Sequence, residues 1–118
     1  MRNEIIVRKL TAYAEKILDY CKGLDYEQFS GNSLLVEACV FNLSQMGELA
    51  NRIDEDFALA HKEIPFRTLY GLRNRIVHDY EGVNLALIWE IIRDDLPALR
   101  DALLTIESAP CGSLTEDR

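Results

Sequence analysis

Apolar residues recur along most of this chain at steps of three and four, the spacing that puts them on one side of an α-helix. Between Ile6 and Leu24 the stripe is Ile6, Leu10, Tyr13, Ile17, Cys21 and Leu24, which predicts a first helix fading near Gly23. The polar stretch from Asp25 to Ser33 reads as a connection, with Ser30, Asn32 or Ser33 available to accept a hydrogen bond from the free N–H groups of the next helix. A second and longest helix is expected from about Leu34 to about Phe57, carried by Leu35, Ala38, Cys39, Asn42, Met46, Leu49, Ile53 and Phe57. Gly47 inside it weakens helix propensity by about 1 kcal/mol relative to alanine, so its position there implies close approach of another backbone.

Ile64-Pro65-Phe66 interrupts the pattern. Proline disfavours a helical residue before it but suits the first turn of a new helix, so a third helix starts here. It turns Leu69, Leu72, Ile76 and Val77 inward and should end near Tyr80, ahead of Gly82. Asn84 is placed to cap a fourth helix with the stripe Leu85, Ile88, Trp89, Ile92, Leu96, Leu99, Leu103 and Ile106. Pro97 lies within that stripe and should bend it or divide it in two, since it lacks an N–H and crowds the carbonyl four residues back. No alternating strand pattern or internal repeat competes. The expected fold is all-α, an antiparallel bundle of four to five helices over residues 1–107, followed by a flexible tail over 108–118.

Composition narrows the class. At 118 residues, 48% hydrophobic and 28% charged, the chain suits one globular domain, and one small enough that a homodimer would add useful burial. Three cysteines, Cys21, Cys39 and Cys111, without a CxxC pair, argue against a disulfide framework or a zinc site and for a reducing compartment. No signal-peptide core or apolar run of membrane-spanning length is present, so the expected location is the cytoplasm, away from membranes. The net charge of −7 counts against a protein that coats nucleic acid over its whole surface. Charge is unevenly placed, however. Residues 61–80 hold Lys62, Arg67, Arg73 and Arg75 against Glu63 and Asp79, a local excess of cations on an acidic body.

That excess contains the cluster best suited to chemistry, Arg73, Asn74, Arg75, His78, Asp79 and Tyr80. A histidine can exchange protons near neutrality, and an arginine offers phosphate oxygens a planar fork of donors. Metal-free cleavage of RNA needs a base for the ribose 2′-hydroxyl, an acid for the leaving 5′-oxygen, and donors for the charge building on phosphorus. One histidine does not easily fill both proton-transfer roles, and His61, the other histidine of the chain, sits in a polar connection with nothing to aim it at the cluster. On an ideal helix Asn74 lies under His78 and Arg73 under Tyr80, while Arg73 and His78 are about 140° apart. A two-fold axis near that face would gather two arginines and two histidines around one cleft. The same residues also admit a structural reading, because arginine, asparagine and histidine at a helix C-terminus cap carbonyls and oppose the partial negative charge there. Asp79 could orient His78 or simply end the helix, and Tyr80 could be a half-buried aromatic.

At these residues the chain resembles the HepT toxins, the HEPN partners of minimal nucleotidyltransferase antitoxins, whose motif is an arginine, four residues, a histidine, any residue and a tyrosine. Arg73, His78 and Tyr80 match it. The likeness extends through Asn42-Leu43, Met46-Gly47-Glu48-Leu49-Ala50, Ile64-Pro65-Phe66-Arg67, and Trp89-Glu90 to Asp95-Leu96-Pro97. The resemblance implies a homodimeric, metal-independent endoribonuclease without a cofactor. Arg73 would bind phosphate, His78 would transfer protons, and Asn74 and Asp79 would support them. It also implies a cognate nucleotidyltransferase antitoxin that attaches AMP to Tyr80, adding negative charge and bulk beside a cationic cleft. Glu48 becomes a candidate neighbour of that cleft, whereas Trp89 and Pro97 are assigned to the fold. A different class remains open beside this one: a non-catalytic module that binds a nucleotide or docks the nucleotidyltransferase.

Overall fold

The computed structural model describes residues 2–78 and 84–108, and the side chains of 75–78 lie outside the description. The described residues form an all-α bundle of four long rods and two short helices. The rods are α1 (Asn3–Cys21), α3 (Ser33–Ala50), α5 (Phe66–His78) and a continuous run made of α6 (Leu85–Glu90), a π-helical turn (Ile91–Asp95) and α7 (Leu96–Glu107). The short helices are α2 (Tyr26–Ser30) and α4 (Glu55–Ala60).

The α1 stripe is the centre of the core. Ile6, Leu10, Ala14 and Ile17 are fully buried, because α1 packs against α3 on one side and α7 on the other. Direction follows from two contacts. Asn3, at the start of α1, exchanges hydrogen bonds with Asp54 just beyond the end of α3, at 3.1 and 3.2 Å. Cys21, at the end of α1, meets Cys39 in the second turn of α3. The two helices are therefore antiparallel.

Two elements depart from the reading of the sequence. The connection between the first two rods holds α2, nucleated by a reciprocal cap in which Asp25 Oδ1 accepts from the Gln28 N–H at 2.8 Å and Gln28 Oε1 accepts from the Asp25 N–H at 3.0 Å. That cap turns Phe29 fully inward onto Trp89, with ring centroids 5.1 Å apart. The second rod stops at Ala50 rather than running to Phe57. Asn3 Oδ1 takes the Asp54 N–H that a longer helix would have used, and α4 then starts afresh. The apolar step continues through Ile53 and Phe57, both of which pack on the core, so periodicity alone conceals the break.

The expected caps are present, Asn32 accepting from the Leu35 N–H and Asn84 from the Leu87 N–H, each at 3.1 Å. Gly23 takes a left-handed φ of 76° after α1. Pro97 falls in the first turn of α7. The wide turn before it bonds the Leu96 N–H to the Ile91 carbonyl, which carries the rod past the residue that lacks a donor.

The α3–α5 crossing positions everything that follows. A Cβ built on Gly47 would overlap the Arg73 Cβ and lie 2.6 Å from the Leu69 carbonyl oxygen. The two backbones approach as closely as they do only because that position has no side chain. Gly47→Ala should therefore destabilise the fold by about 1–3 kcal/mol, as overpacking of a tight contact does. Phe29→Ala, which empties a fully buried aromatic site, should cost about 3–5 kcal/mol. Urea unfolding followed by the fluorescence of Trp89, the single tryptophan, measures both. An unfolding midpoint unchanged by Gly47→Ala would show that α3 and α5 do not meet at this glycine.

Candidate active site

The local sequence of α5 explains how the motif is presented. Pro65 precedes the helix and its carbonyl accepts from the Leu69 N–H at 3.0 Å, closing the first turn. Ile64, Phe66 and Leu69 are buried and hold the N-terminal half of α5 against the bundle. Arg67 and Thr68 face solvent. Past Leu69 the helix continues without a break to His78, so Arg73, Asn74 and His78 belong to one rigid element with the angular relations of an ideal helix.

Arg73 emerges beside the Gly47 crossing and leans back over α3. Its Nη2 lies 3.6 Å from Glu48 Oε2, and its Nη1 donates to Asn74 Oδ1 at 3.0 Å. The Arg73 and Glu48 side chains are 29% and 39% exposed. At that exposure an ion pair is worth roughly 1 kcal/mol or less, so it orients the guanidinium without locking it away from an incoming anion. A guanidinium has five N–H donors, and this one keeps donors beyond those two contacts. The arrangement suits a phosphate, which can share or replace the Glu48 carboxylate as the partner of the fork.

The structure thus brings together Arg73 and Asn74, and adds Glu48. Sequence reasoning marked Glu48 only as a neighbour of the cleft, and the available signal was the glycine immediately before it. His78 is placed as the last residue of α5, with its side chain, like that of Arg75, outside the description. Asp79 and Tyr80 lie outside the described residues, as do the expected helix end and Gly82. His61 has structural company instead. It follows α4, its ring centroid is 4.4 Å from that of Phe57, and its Nδ1 is 3.4 Å from Glu63 Oε2.

A separate cleft of about 620 Å³ opens between α5 and the last rod, with walls that include Leu69, Leu72, Leu87 and Leu99 and the carboxylates of Asp94 and Asp95. Arg73 and Asn74 do not line it. Its carboxylates repel a polynucleotide, which separates it in chemistry from the arginine site. No described helix is long and apolar enough to cross a membrane.

Comparison with known proteins places this geometry in a family. Residues 10–106 match the family described as "Ribonuclease HepT-like". The chain is 33% identical over 94 residues to "Putative RNase TTE0752" of Caldanaerobacter subterraneus, covering 74% of this chain and 84% of that protein. It is 30% identical over 87 residues to "Putative RNase MJ1380" of Methanocaldococcus jannaschii, covering 74% and 80%. It is 29% identical over 86 residues to "Probable ribonuclease HepT" of Thermococcus cleftensis, covering 73% and 78%. No solved structure matches it significantly. The match takes in α5 with Arg73 and His78 and the α3 segment that holds Glu48 against it, and the chain belongs to the HepT-like ribonuclease family of HEPN proteins.

Proposed function

We propose that this chain is the toxin of a toxin–antitoxin module, a cytoplasmic, metal-independent endoribonuclease whose site is composed from two copies of the chain. The observation that carries the proposal is the Arg73 guanidinium, steered by Glu48 and Asn74 and still open to solvent, on the same helix as His78. The names of the relatives as ribonucleases support the same activity.

In this reading Arg73 binds the scissile phosphate and stabilises the charge that develops on its oxygens. A neutral His78 takes the proton of the ribose 2′-hydroxyl, whose oxygen attacks phosphorus. A protonated His78 from the second copy gives a proton to the departing 5′-oxygen as the P–O bond breaks. Asn74 holds the guanidinium in place, and Asp79 orients the imidazole.

The surface of α3 supports a second copy. Leu34 is 80% exposed and Phe41 59%, and with Glu48 they recur at a seven-residue step, which aligns all three on one side of a helix. An apolar strip that leads to the arginine is a suitable surface for a symmetry mate. Phe41→Glu should shift the protein toward monomer in sedimentation measurements and lower cleavage with it. Full cleavage by a monomer would rule out the shared site.

The central test is incubation of purified protein with RNA in the presence of a chelator. Wild type should cleave. Arg73→Ala and His78→Ala should each lose about 100-fold or more, the scale of general acid–base and electrostatic contributions. Equal cutting by wild type and His78→Ala would remove the assignment. The net charge of −7 favours a second reading, a module that holds a nucleotide or docks a nucleotidyltransferase without turnover. Tight nucleotide binding with no RNA product would select it.

Control of the nuclease is proposed to run through Tyr80. Its phenol oxygen attacks the α-phosphorus of ATP on the cognate nucleotidyltransferase, pyrophosphate leaves, and the attached AMP excludes RNA by charge and bulk. With that enzyme and ATP the wild-type chain should gain one or more AMP units by mass spectrometry, and Tyr80→Phe should gain none. An unmodified wild-type chain would overturn covalent control while leaving the nuclease standing.

A further inference from the structure

Nothing in the proposed chemistry uses the two described cysteines, yet the fold brings them together. Cys21 is the last residue of α1 and Cys39 lies inside α3. Their sulfurs are 3.6 Å apart, in hydrogen-bonding contact, and both are free thiols. They are not equivalent. Cys39 is fully buried, whereas Cys21 keeps 7% of its surface exposed at a helix end followed by the Gly23 turn, where opening is easiest.

We propose that Cys21 and Cys39 form an oxidation site, at which a peroxide joins them in an intramolecular disulfide between the end of α1 and the second turn of α3. A disulfide is about 2.0 Å long, so the sulfurs need to close by about 1.6 Å. The hydrogen bond from Cys39 lowers the Cys21 thiol pKa against the opposing effect of burial. The Cys39 thiol is held well above its ordinary range by the bond to Cys21, by burial and by the negative charge a Cys21 thiolate would place beside it. Cys21 is thus the attacking sulfur and Cys39 the resolving one.

The steps balance. The Cys21 thiolate attacks one oxygen of hydrogen peroxide, the O–O bond breaks, and the hydroxide released becomes water on taking up a proton. The sulfur is left as a sulfenic acid. Cys39 attacks that sulfur, the S–S bond forms, and the hydroxyl leaves with the Cys39 proton as a second water. Two thiols lose two electrons and two protons, and one peroxide is reduced to two waters. The product ties α1 to α3 at the end opposite the Asn3–Asp54 link and closes a loop containing α2, which should raise the thermal midpoint by restricting the unfolded chain.

The test uses the full chain carrying Cys111→Ser, since Cys111 lies outside the described residues. The folded protein is treated with hydrogen peroxide and then denatured for thiol titration and intact-mass measurement. Expected are loss of both thiols, a mass lower by two hydrogens, monomeric chains on a non-reducing gel, a higher thermal midpoint, and full reversal by dithiothreitol. Cys21→Ser in the same background should show no such mass loss. Retention of both thiols, addition of oxygen without a fall in mass, or cross-links between chains would each overturn the proposal. The two-cysteine protein supplies these readouts by itself, so they stand even if Cys39→Ser fails to fold.

Discussion

The contact on which the site depends is the one between Gly47 and α5. Where α3 and α5 cross, the missing side chain lets the backbone of one helix meet the Leu69 carbonyl and the stem of Arg73 on the other. Glu48, the next residue, then stands beside the guanidinium. A larger residue at 47 would push the helices apart and separate carboxylate from arginine even with both side chains retained. Packing and electrostatics are thus set by the same short segment, Gly47-Glu48.

The rest of the bundle serves that crossing. The fully buried stripe of α1 holds α3 and α7 on either side, and α3 in turn carries α5. The charge of the molecule is arranged in keeping with this. The formal net charge is −7, the cleft beside the last rod is lined by Asp94 and Asp95, and Lys62, Arg67, Arg73 and Arg75 lie along α5 and the turn leading into it.

Much of this was legible in the chain itself, for reasons that differ by element. The rods follow from apolar steps of three and four, and Gly47 could be read as a close approach because an interior glycine weakens a helix unless something compensates. The cap at Asp25 and Gln28 was also legible as a capping box, but the polar stretch around it masked the signal. The break after Ala50 was not, because Ile53 and Phe57 keep the periodicity while the deciding hydrogen bond comes from Asn3, at the other end of α1. The Arg73–Glu48 pair and the Cys21–Cys39 contact are tertiary facts. Neither pair has a spacing that distinguishes it from chance, and only the packing of helices brings its members together. The motif residues were legible through family resemblance, since arginine, asparagine and histidine at a helix end serve stability equally well.

The π-helical turn has a mechanical consequence. Proline within a long helix ordinarily acts as a hinge, and a hinge at Pro97 would uncouple the two halves of the last rod. By widening one turn and bonding the Leu96 N–H to the Ile91 carbonyl, the chain keeps an unbroken helical run from Leu85 to Glu107. Its far half is clamped on α1, so Asn84, where the chain re-enters the described fold after His78, inherits that anchorage over more than 20 residues. A shift of α7 against α1 would be carried along the rod to Asn84, as displacement of one end of a beam moves the other.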